Sequence, residues 1–274
     1  MPRIHHKDIW KFDGEGTAQQ SDAIAGEEPL EINVRFGPAD RRNMQSVAIT
    51  MRTEGDDEDL VRGFLFTENI IARESDVLLI KRLDEANRIV VELSGKTKFD
   101  IEGLTRHVFT SSSCGICGKA SLEQVTMAIP YVLRPGIPSI SLSEIVGWPE
   151  IARRKQESFA STGGLHAAAL FDASGELLLL REDVGRHNAM DKLIGCAIKK
   201  DWLPLDNYVC LVSGRASFEL VQKALMAGIP IVLAVGAPSS LAIDLAEAHN
   251  LTLIGFLRNG QCNIYSGRDR ILDL

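Results

Sequence analysis

The sequence has no long apolar run and no strong concentration of basic residues. No run approaches the roughly 18 residues that a membrane span needs, and residues 1–22 lack the apolar core with basic flanks of a secretory signal. The densest basic cluster, at 153–155, has the pattern of a solvated helix face in a chain whose net charge is −7. We therefore expect a cytoplasmic protein that binds neither a membrane nor nucleic acid.

Common nucleotide-binding and deaminase signatures are also missing. Neither G-x-G-x-x-G nor G-x-x-x-x-G-K-[ST] occurs, so the sequence does not predict a conventional Rossmann or P-loop site. The H-x-E element of zinc-dependent deaminases is absent at His166, which is followed by Ala167 and Ala168. Deamination would therefore lack its general acid–base residue.

Cysteines are few and odd in number. The chain has five, which in a protein of this size indicates reduced thiols rather than a disulfide framework. Cys114 and Cys117 form a C-x-x-C pair within TSSSCGICGK. A C-x-x-C pair supplies two of the four ligands of a tetrahedral zinc site, and His166 is a candidate for the third. A redox dithiol is the second familiar use of the motif. The flanking serines and glycines also suit a mobile loop that carries sulfur, and we expect no permanent metal.

Hydrophobic patterning divides the chain into an arm and two larger units. Residues 1–26 are polar and aperiodic, which predicts a flexible N-terminal arm. Residues 27–108 predict a small α+β domain, and residues 109–274 an α/β domain that carries the C-x-x-C loop. In the last third, strands at 208–212, 229–235 and 251–257 alternate with helices at 217–226 and 239–248, the pattern of parallel β-α-β units.

The ends of these strands are candidate anion sites. Ligands collect where parallel strands end and helices begin, because free backbone N–H groups point there. The three ends at 213–217, 236–240 and 258–261 combine glycine with a hydroxyl or a guanidinium, and they contribute Ser213, Arg215, Ser239 and Arg258. Turn formation and helix capping explain any single one of them. Together they favour a nucleotide-like anion.

A denser polar segment runs from Arg181 to Asn188. It follows an apolar strand and holds two carboxylates, two guanidiniums and one imidazole. The carboxylates would compensate the helix dipole, but cations at a helix N-terminus are unfavourable. We therefore predict a polar site with Asp183 and His187, and His166 is added because the preceding Gly163 and Gly164 allow close backbone approach.

Several blocks of the sequence also resemble a known family. TSSSCGICGKASLE, TGGLHAAAL, EDVGRHNAMDKLIG, SGRASFELVQKALMAGIPI, APSSLAIDLA and GFLRNGQCNIY are similar, in order, to the FdhD/NarQ family of formate dehydrogenase accessory proteins. The resemblance runs from about Glu27 to the C-terminus. It implies a sulfurtransferase that takes persulfide sulfur from a cysteine desulfurase. It further implies delivery of that sulfur to the molybdenum of the bis-molybdopterin guanine dinucleotide cofactor, before the cofactor enters formate dehydrogenase.

The resemblance also implies roles for particular residues. Cys114 would be the persulfide carrier and Cys117 an auxiliary thiol. The family's cofactor-binding stretch matches Phe256, Leu257, Arg258, Asn259, Gly260 and Gln261. Two positions depart from the family pattern, since Asn69 replaces a glycine and Gln261 stands where some relatives have a basic residue.

The fold and the assembly are implied in the same way. The larger domain would have a cytidine-deaminase-like α/β/α fold, and the protein would be a cytoplasmic homodimer that contacts the guanine nucleotide moiety, the desulfurase and the catalytic subunit of formate dehydrogenase. Two alternatives stay open at this point. One is a cofactor-binding chaperone that transfers no sulfur, and the other is a C-x-x-C redox or zinc protein.

Overall fold

The computed structural model describes residues 4–83, 87–97 and 129–274. Over these ranges the chain is a mixed α/β protein with a two-stranded, a four-stranded and a six-stranded sheet. Every helix in the same ranges is too short or too polar to span a lipid bilayer. The C-x-x-C pair and the predicted boundary between 108 and 109 lie outside the described residues.

Residues 4–25 form an antiparallel hairpin, which the sequence analysis did not predict within the N-terminal arm. Strand β1 (Ile4–Phe12) pairs along its whole length with β2 (Thr17–Ala25). Most of its side chains are exposed, including Trp10 at 71% and Phe12 at 70%. Because neither face is buried, these strands need no alternation of polar and apolar residues, and that alternation is the pattern on which strand prediction depends.

The four-stranded sheet lies within residues 27–108, the range of the predicted α+β domain. Its strands are β3 (Glu28–Phe36), β4 (Asn43–Arg52), β5 (Val77–Leu83) and β6 (Arg88–Leu93), in the spatial order β4-β3-β6-β5. Helix α1 (Asp57–Thr67) follows β4, and a 3-10 turn at Glu74–Asp76 precedes β5. Leu30, Ile32 and Val34 alternate along β3 and are fully buried, so one face of the sheet packs inward.

The six-stranded sheet carries the predicted β-α-β units. Its strands are β7 (His166–Asp172), β8 (Leu177–Asp183), β9 (Tyr208–Val212), β10 (Ile231–Ala234), β11 (Thr252–Arg258) and β12 (Gln261–Ser266). The spatial order is β12-β11-β10-β9-β7-β8. Strands β9, β10 and β11 are mutually parallel, as predicted, whereas β7 runs antiparallel to β8 and β9. Strand β12, antiparallel to β11, is an addition that the sequence analysis did not predict.

The helices of this half lie on both faces of the six-stranded sheet. They are α2 (Leu142–Ile145), α3 (Trp148–Lys155), α4 (Glu157–Thr162), α5 (Arg186–Lys199), α6 (Phe218–Met226) and α7 (Ser240–Ala248), with a final 3-10 turn at Arg268–Arg270. One face packs on α5, α6 and α7. The other face packs on α2 and α3, where Trp148 stacks on Phe171 with ring centroids 4.7 Å apart.

The two predicted domains share one hydrophobic core. The cluster that contains α5, α6 and α7 continues without a break into α1 and the inner face of the four-stranded sheet. Helices α1 and α5 meet at backbone distance, because a Cβ atom on Gly63 would lie 1.9 Å from the Asp191 carbonyl oxygen. A Cβ atom on Gly195 would lie 1.8 Å from the carbonyl oxygen of Asp59. The small unit is therefore joined to the larger one through a helix crossing that requires glycine on both helices.

Candidate functional site

One edge of the six-stranded sheet gathers most of the predicted site residues. Strands β8, β9, β10 and β11 all end at this edge, and antiparallel β7 begins there, with His166 paired to Asp183. The carboxyl ends of parallel strands meet at a common edge because the strands point the same way. We call these strand ends, together with the loops and helix N-termini next to them, the polar edge. The distance from β7 to β11 is three strand spacings, or about 14 Å.

The loops at the polar edge are hydrogen-bonded to one another. The Gly236 N–H donates to the Gly214 carbonyl at 2.9 Å, and the Phe256 N–H donates to the Gly236 carbonyl at 3.0 Å. A Cβ atom on Gly236 would lie 3.0 Å from the backbone of Gly214 and Arg215. Glycine is therefore needed here for close packing of the loops, in addition to any ligand that the loops receive.

His166 lies against the loop that follows β9. A Cβ atom on Gly214 would be 3.2 Å from Nδ1 of His166, so the imidazole packs on the bare glycine backbone. The pKa of His166 is lowered, first by burial and then by the nearby charges of Arg186 and His187, while Asp183 opposes the shift. A lowered pKa makes the imidazole neutral at pH 7, with one nitrogen that donates and one that accepts.

The N-terminus of α5 contributes Arg186 and His187. His187 Nε2 lies 2.7 Å from Oε2 of Glu219 and 3.2 Å from the Ser217 hydroxyl, and both partners are at the start of α6. The hydrogen bond with His187 is the largest cause of the lowered pKa of Glu219. Nε of Arg186 is buried and has no hydrogen-bond partner among the described residues. A buried unpaired guanidinium nitrogen favours an anionic ligand.

Two helix N-termini at the polar edge, those of α5 and α6, have no side-chain cap for their first backbone N–H groups among the described residues. Within the described residues, neither Gly185 before α5 nor Ser217 before α6 caps its helix with a side-chain hydrogen bond. The first N–H groups of a helix have no partner within the helix, and the helix dipole favours negative charge beside them. These donors and Arg186 together form a surface that suits phosphate.

The other residues predicted for this site, Ser213, Arg215, Ser239 and Asp183, differ from one another in exposure and in hydrogen bonding. The Ser213 hydroxyl accepts the Ala167 N–H at 2.8 Å and so fastens β9 to β7, whereas Arg215 is exposed. Ser239 caps α7 by accepting the Ala242 N–H at 3.3 Å, the simpler of the two roles considered for it. Asp183 is fully buried, and its carboxylate lies 2.7 Å from the Lys192 ammonium, so it contacts protein groups behind the polar edge.

The stretch from Phe256 to Gln261 is the end of a hairpin. Asn259 and Gly260 both have positive φ, at 53° and 73°, and join β11 to β12 in a two-residue turn. A cleft of about 370 Å³ is lined by Phe256, Arg258, Asn259, Gln261, Cys262 and Asn263. Leu257, between these residues, is fully buried in the core under α2 and α3 and does not line the cleft.

Comparison with known proteins identifies the family. The model of the FdhD/NarQ family matches residues 25–272, nearly the whole chain. The chain belongs to the FdhD/NarQ family. "Sulfur carrier protein FdhD" of Mycobacterium tuberculosis is 44% identical over 277 residues, covering 97% of this chain and 98% of the relative. The protein of that name from Streptomyces coelicolor is 48% identical over 259 residues, covering 91% and 89%.

More distant members of the FdhD/NarQ family also match over their full length. "Sulfur carrier protein FdhD" of Saccharolobus solfataricus is 42% identical over 269 residues and covers 98% of each chain. A crystal structure assigned as a formate dehydrogenase accessory protein from Desulfotalea psychrophila has a TM-score of 0.74 at 22% identity. It covers 99% of this chain and 100% of its own. At that identity the likeness concerns the fold alone.

The predicted sulfur-carrying pair, Cys114 and Cys117, falls outside the described residues. Of the cysteines that are described, Cys196 and Cys210 are buried and Cys262 is partly exposed. Burial raises the pKa of the Cys210 thiol to about 12, which makes it a poor nucleophile. Within 4–83, 87–97 and 129–274, no group of three or more His, Cys, Asp or Glu side chains is arranged to hold a metal ion.

Sequence reasoning did not select three residues that the fold brings to the polar edge. Arg186, Ser217 and Glu219 meet there because α5 and α6 begin side by side. Arg186 lay inside the polar segment already noted, and its charge at a helix start was the available signal. Glu219 offered no local signal, since an acidic residue in the first turn of a helix is ordinary dipole compensation.

Proposed function

We propose that this protein is a sulfur carrier that delivers persulfide sulfur to the molybdenum cofactor of formate dehydrogenase. The observation that carries the proposal is the full-length similarity, at 42–48% identity, to FdhD/NarQ members named sulfur carrier proteins. The polar edge supports the cofactor half of this function. The C-x-x-C sequence supports the sulfur half.

The sulfur step follows from thiolate chemistry. The Cys114 thiolate attacks the terminal sulfur of a donor persulfide, the donor S–S bond breaks, and the donor cysteine leaves as thiolate. Cys114 then holds the sulfur as its own persulfide, with no net oxidation or reduction. Cys117 assists as the neighbouring thiol. When the outer sulfur passes to the cofactor as a neutral sulfur atom, the S–S bond breaks and Cys114 returns to its starting thiolate. The cofactor, as the substrate, would supply the two electrons that convert this sulfur to sulfide.

The polar edge would hold the guanine dinucleotide part of the substrate. Bis-molybdopterin guanine dinucleotide carries pyrophosphate groups, and uncapped helix N-termini together with guanidiniums are the groups that bind them. Arg186 and His187 lie at one end of the edge, and Arg258 lies on the hairpin at the other. His166 begins β7, and Ser213, Arg215 and Ser239 lie in the loops between. This distribution suits an extended anionic ligand better than a single phosphate.

The sulfur step is tested by intact mass. The purified, reduced protein is incubated with a cysteine desulfurase and cysteine, and its mass is recorded. We expect a gain of one sulfur atom that reductant removes and that Cys114→Ala abolishes. Cys262→Ala is the matched control, because Cys262 is the partly exposed thiol among the described residues and should leave the gain unchanged. No gain, with a desulfurase shown to be active on another acceptor, would reject sulfur transfer and favour the cofactor chaperone.

The nucleotide half has its own test with GDP as the probe. Calorimetry should show binding to the wild-type protein and to Cys114→Ala, because the cysteine holds sulfur and not nucleotide. Arg186→Ala should weaken binding, whereas Arg154→Ala should not, because Arg154 is exposed and its ion-pair partner among the described residues is Glu150 on its own helix. Equal binding by the two arginine variants would remove Arg186 from the nucleotide site. A stoichiometric metal or a reversible dithiol titration would instead support the zinc or redox alternative.

The remaining parts of the proposal concern assembly and arrangement. The protein would act in the cytoplasm as a homodimer and contact a cysteine desulfurase and the catalytic subunit of formate dehydrogenase. The six-stranded sheet and its helices would have the cytidine-deaminase-like arrangement, which the parallel strands β9, β10 and β11 support. Light scattering of the purified protein, with and without GDP, tests the dimer.

A further inference from the structure

Thr53 belongs to the small unit but reaches the polar edge. It follows β4 directly and is 1% exposed. Its N–H donates to Oδ2 of Asp183 at 3.1 Å, and its hydroxyl accepts the Val184 N–H at 3.1 Å. Its carbonyl oxygen accepts a hydrogen bond from the Lys192 ammonium at 2.8 Å. One residue thus contacts both residues of the turn that precedes Gly185 and α5.

Buried charge reinforces the same connection. The Lys192 ammonium lies 2.7 Å from Oδ2 of Asp183, and both side chains are at most 1% exposed. The Asn188 amide group donates to Oδ1 of Asp183 at 3.0 Å and to the Met51 carbonyl at 2.8 Å. We call Thr53, Asp183, Asn188 and Lys192 the clasp. Because all four are buried, the clasp has few alternative partners and holds one geometry.

The clasp is attached at a particular place. Asp183 and Val184 are separated from Arg186 and His187 only by Gly185, whose N–H donates to Oδ1 of Asp183 at 2.9 Å. The Thr50 hydroxyl also donates to Oδ1 of Asn188 at 3.0 Å, beside the clasp. Other polar connections between the units lie farther from the first turn of α5: Arg181 on β8 donates to Asp59 at 2.9 Å, and Thr67 contacts Asp191 at the middle of α5 and Lys223 on α6. The connection at Asp191 can hold the two units together. The connection at Thr53 also determines the direction of the first turn of α5.

We propose that Thr53 is a positioning residue for the polar edge: its hydroxyl fixes the Asp183–Gly185 turn and so directs Arg186 and His187 toward the ligand. This inference rests on the proposed function only for the identity of the ligand. The small unit would then contribute to nucleotide binding without touching the nucleotide. Loss of the hydroxyl leaves the Val184 N–H without its partner, and the turn must move to find another.

The test compares Thr53→Val with Thr53→Ser and with Thr252→Val. Valine removes the hydroxyl at nearly constant shape, and serine restores it. Thr252 is the matched control, because it is fully buried and its hydroxyl donates to the Gly267 carbonyl at 2.8 Å. It lies at the start of β11, at the end of the strand away from the polar edge. Each variant is measured for thermal unfolding, for GDP binding and for the side-chain NMR signal of His187, assigned with a His187→Gln variant.

We expect Thr53→Val to raise the GDP dissociation constant roughly tenfold, the change that corresponds to the loss of about one hydrogen bond. It should also shift the His187 signal in the absence of nucleotide. Thr53→Ser should restore both, and Thr252→Val should lower thermal stability without changing either. Similar GDP binding and an unshifted His187 signal in Thr53→Val would overturn the proposal.

The same experiment distinguishes failure of the positioning role of Thr53 from failure of the proposed nucleotide binding. If the wild-type protein does not bind GDP, the nucleotide assignment fails. The His187 signal then still decides the role of Thr53, since it reports the position of the first turn of α5 without any ligand. A shift that Thr252→Val also produces would mean that Thr53 acts through general stability, and it would overturn the positioning role.

Discussion

The crossing of α1 and α5 makes Gly63→Ala a demanding test of the structure. The added Cβ atom would lie 1.9 Å from the Asp191 carbonyl oxygen, and real Cβ contacts essentially never fall below 3.0 Å. The two helices must therefore separate by at least about 1 Å at this point. The obstacle is a backbone oxygen in the middle of a helix, so no change of rotamer can relieve it.

Two opposing effects set the size of the loss. Alanine is favoured over glycine in a helix by about 1 kcal/mol. Overpacking of a well-packed contact costs about 1–3 kcal/mol and occasionally more, and a backbone clash falls at the upper end. The net expectation is a decrease of about 2 kcal/mol in the free energy of unfolding. For a chain of this size that corresponds to a fall of about 4–8 °C in Tm.

Thermal and urea unfolding followed by circular dichroism measure the effect. Gly195→Ala should behave alike, since its Cβ atom would lie 1.8 Å from the Asp59 carbonyl oxygen, and the double variant should lose less than the sum because the first methyl already separates the helices. Gly16→Ala is the control, with no atom within 4 Å of the added carbon. Stability of Gly63→Ala equal to or above that of the wild type would refute the crossing.

Three other substitutions test separate parts of the fold. Asp273 accepts the Leu142 N–H, the largest cause of the fall of its pKa to about 2. Because the pKa of Asp273 is lower in the folded protein, the stabilisation from its carboxylate is present above the unfolded pKa and is lost as pH falls through about 2. In urea unfolding, Asp273→Asn should therefore be less stable than the wild type at pH 7 and match it below pH 2. Lys192→Met leaves the buried Asp183 carboxylate unpaired and should cost about 3–5 kcal/mol in the same assay. Gly260→Ala places a Cβ atom at a φ of 73° and should cost about 1 kcal/mol, seen as faster amide exchange at the β11–β12 turn.

Each of these predictions has a result that contradicts it. A pH-independent difference between Asp273→Asn and the wild type would mean that its hydrogen bonds do not depend on the charge. A loss below about 1 kcal/mol in Lys192→Met would place Asp183 in contact with water, since only solvated pairs are that weak. Unchanged exchange in Gly260→Ala would exclude the left-handed turn.

Local sequence determined the elements with strong patterns. The parallel units from β9 to β11 were predicted because apolar strands alternate with amphipathic helices, and the neighbouring residues alone contain that signal. The C-x-x-C pair and the ordered blocks of family resemblance are equally local. The two-residue turn at Asn259-Gly260 also has a local signature, since Asn-Gly is the commonest hairpin turn of its kind, although the prediction treated this stretch as an anion-binding loop.

Burial and contacts between distant residues depended on the tertiary structure. Asp183 and Leu257 lie within polar or functional motifs, yet one is closed off by Lys192 and Thr53 and the other is turned into the core by the alternation of its strand. Conversely, Glu219 becomes part of the polar edge only because α6 begins beside α5. Thr53 and Asp183 are 130 residues apart in sequence. A local pattern reports the preference of a residue for polar or apolar surroundings, whereas packing of remote elements decides which surroundings it receives.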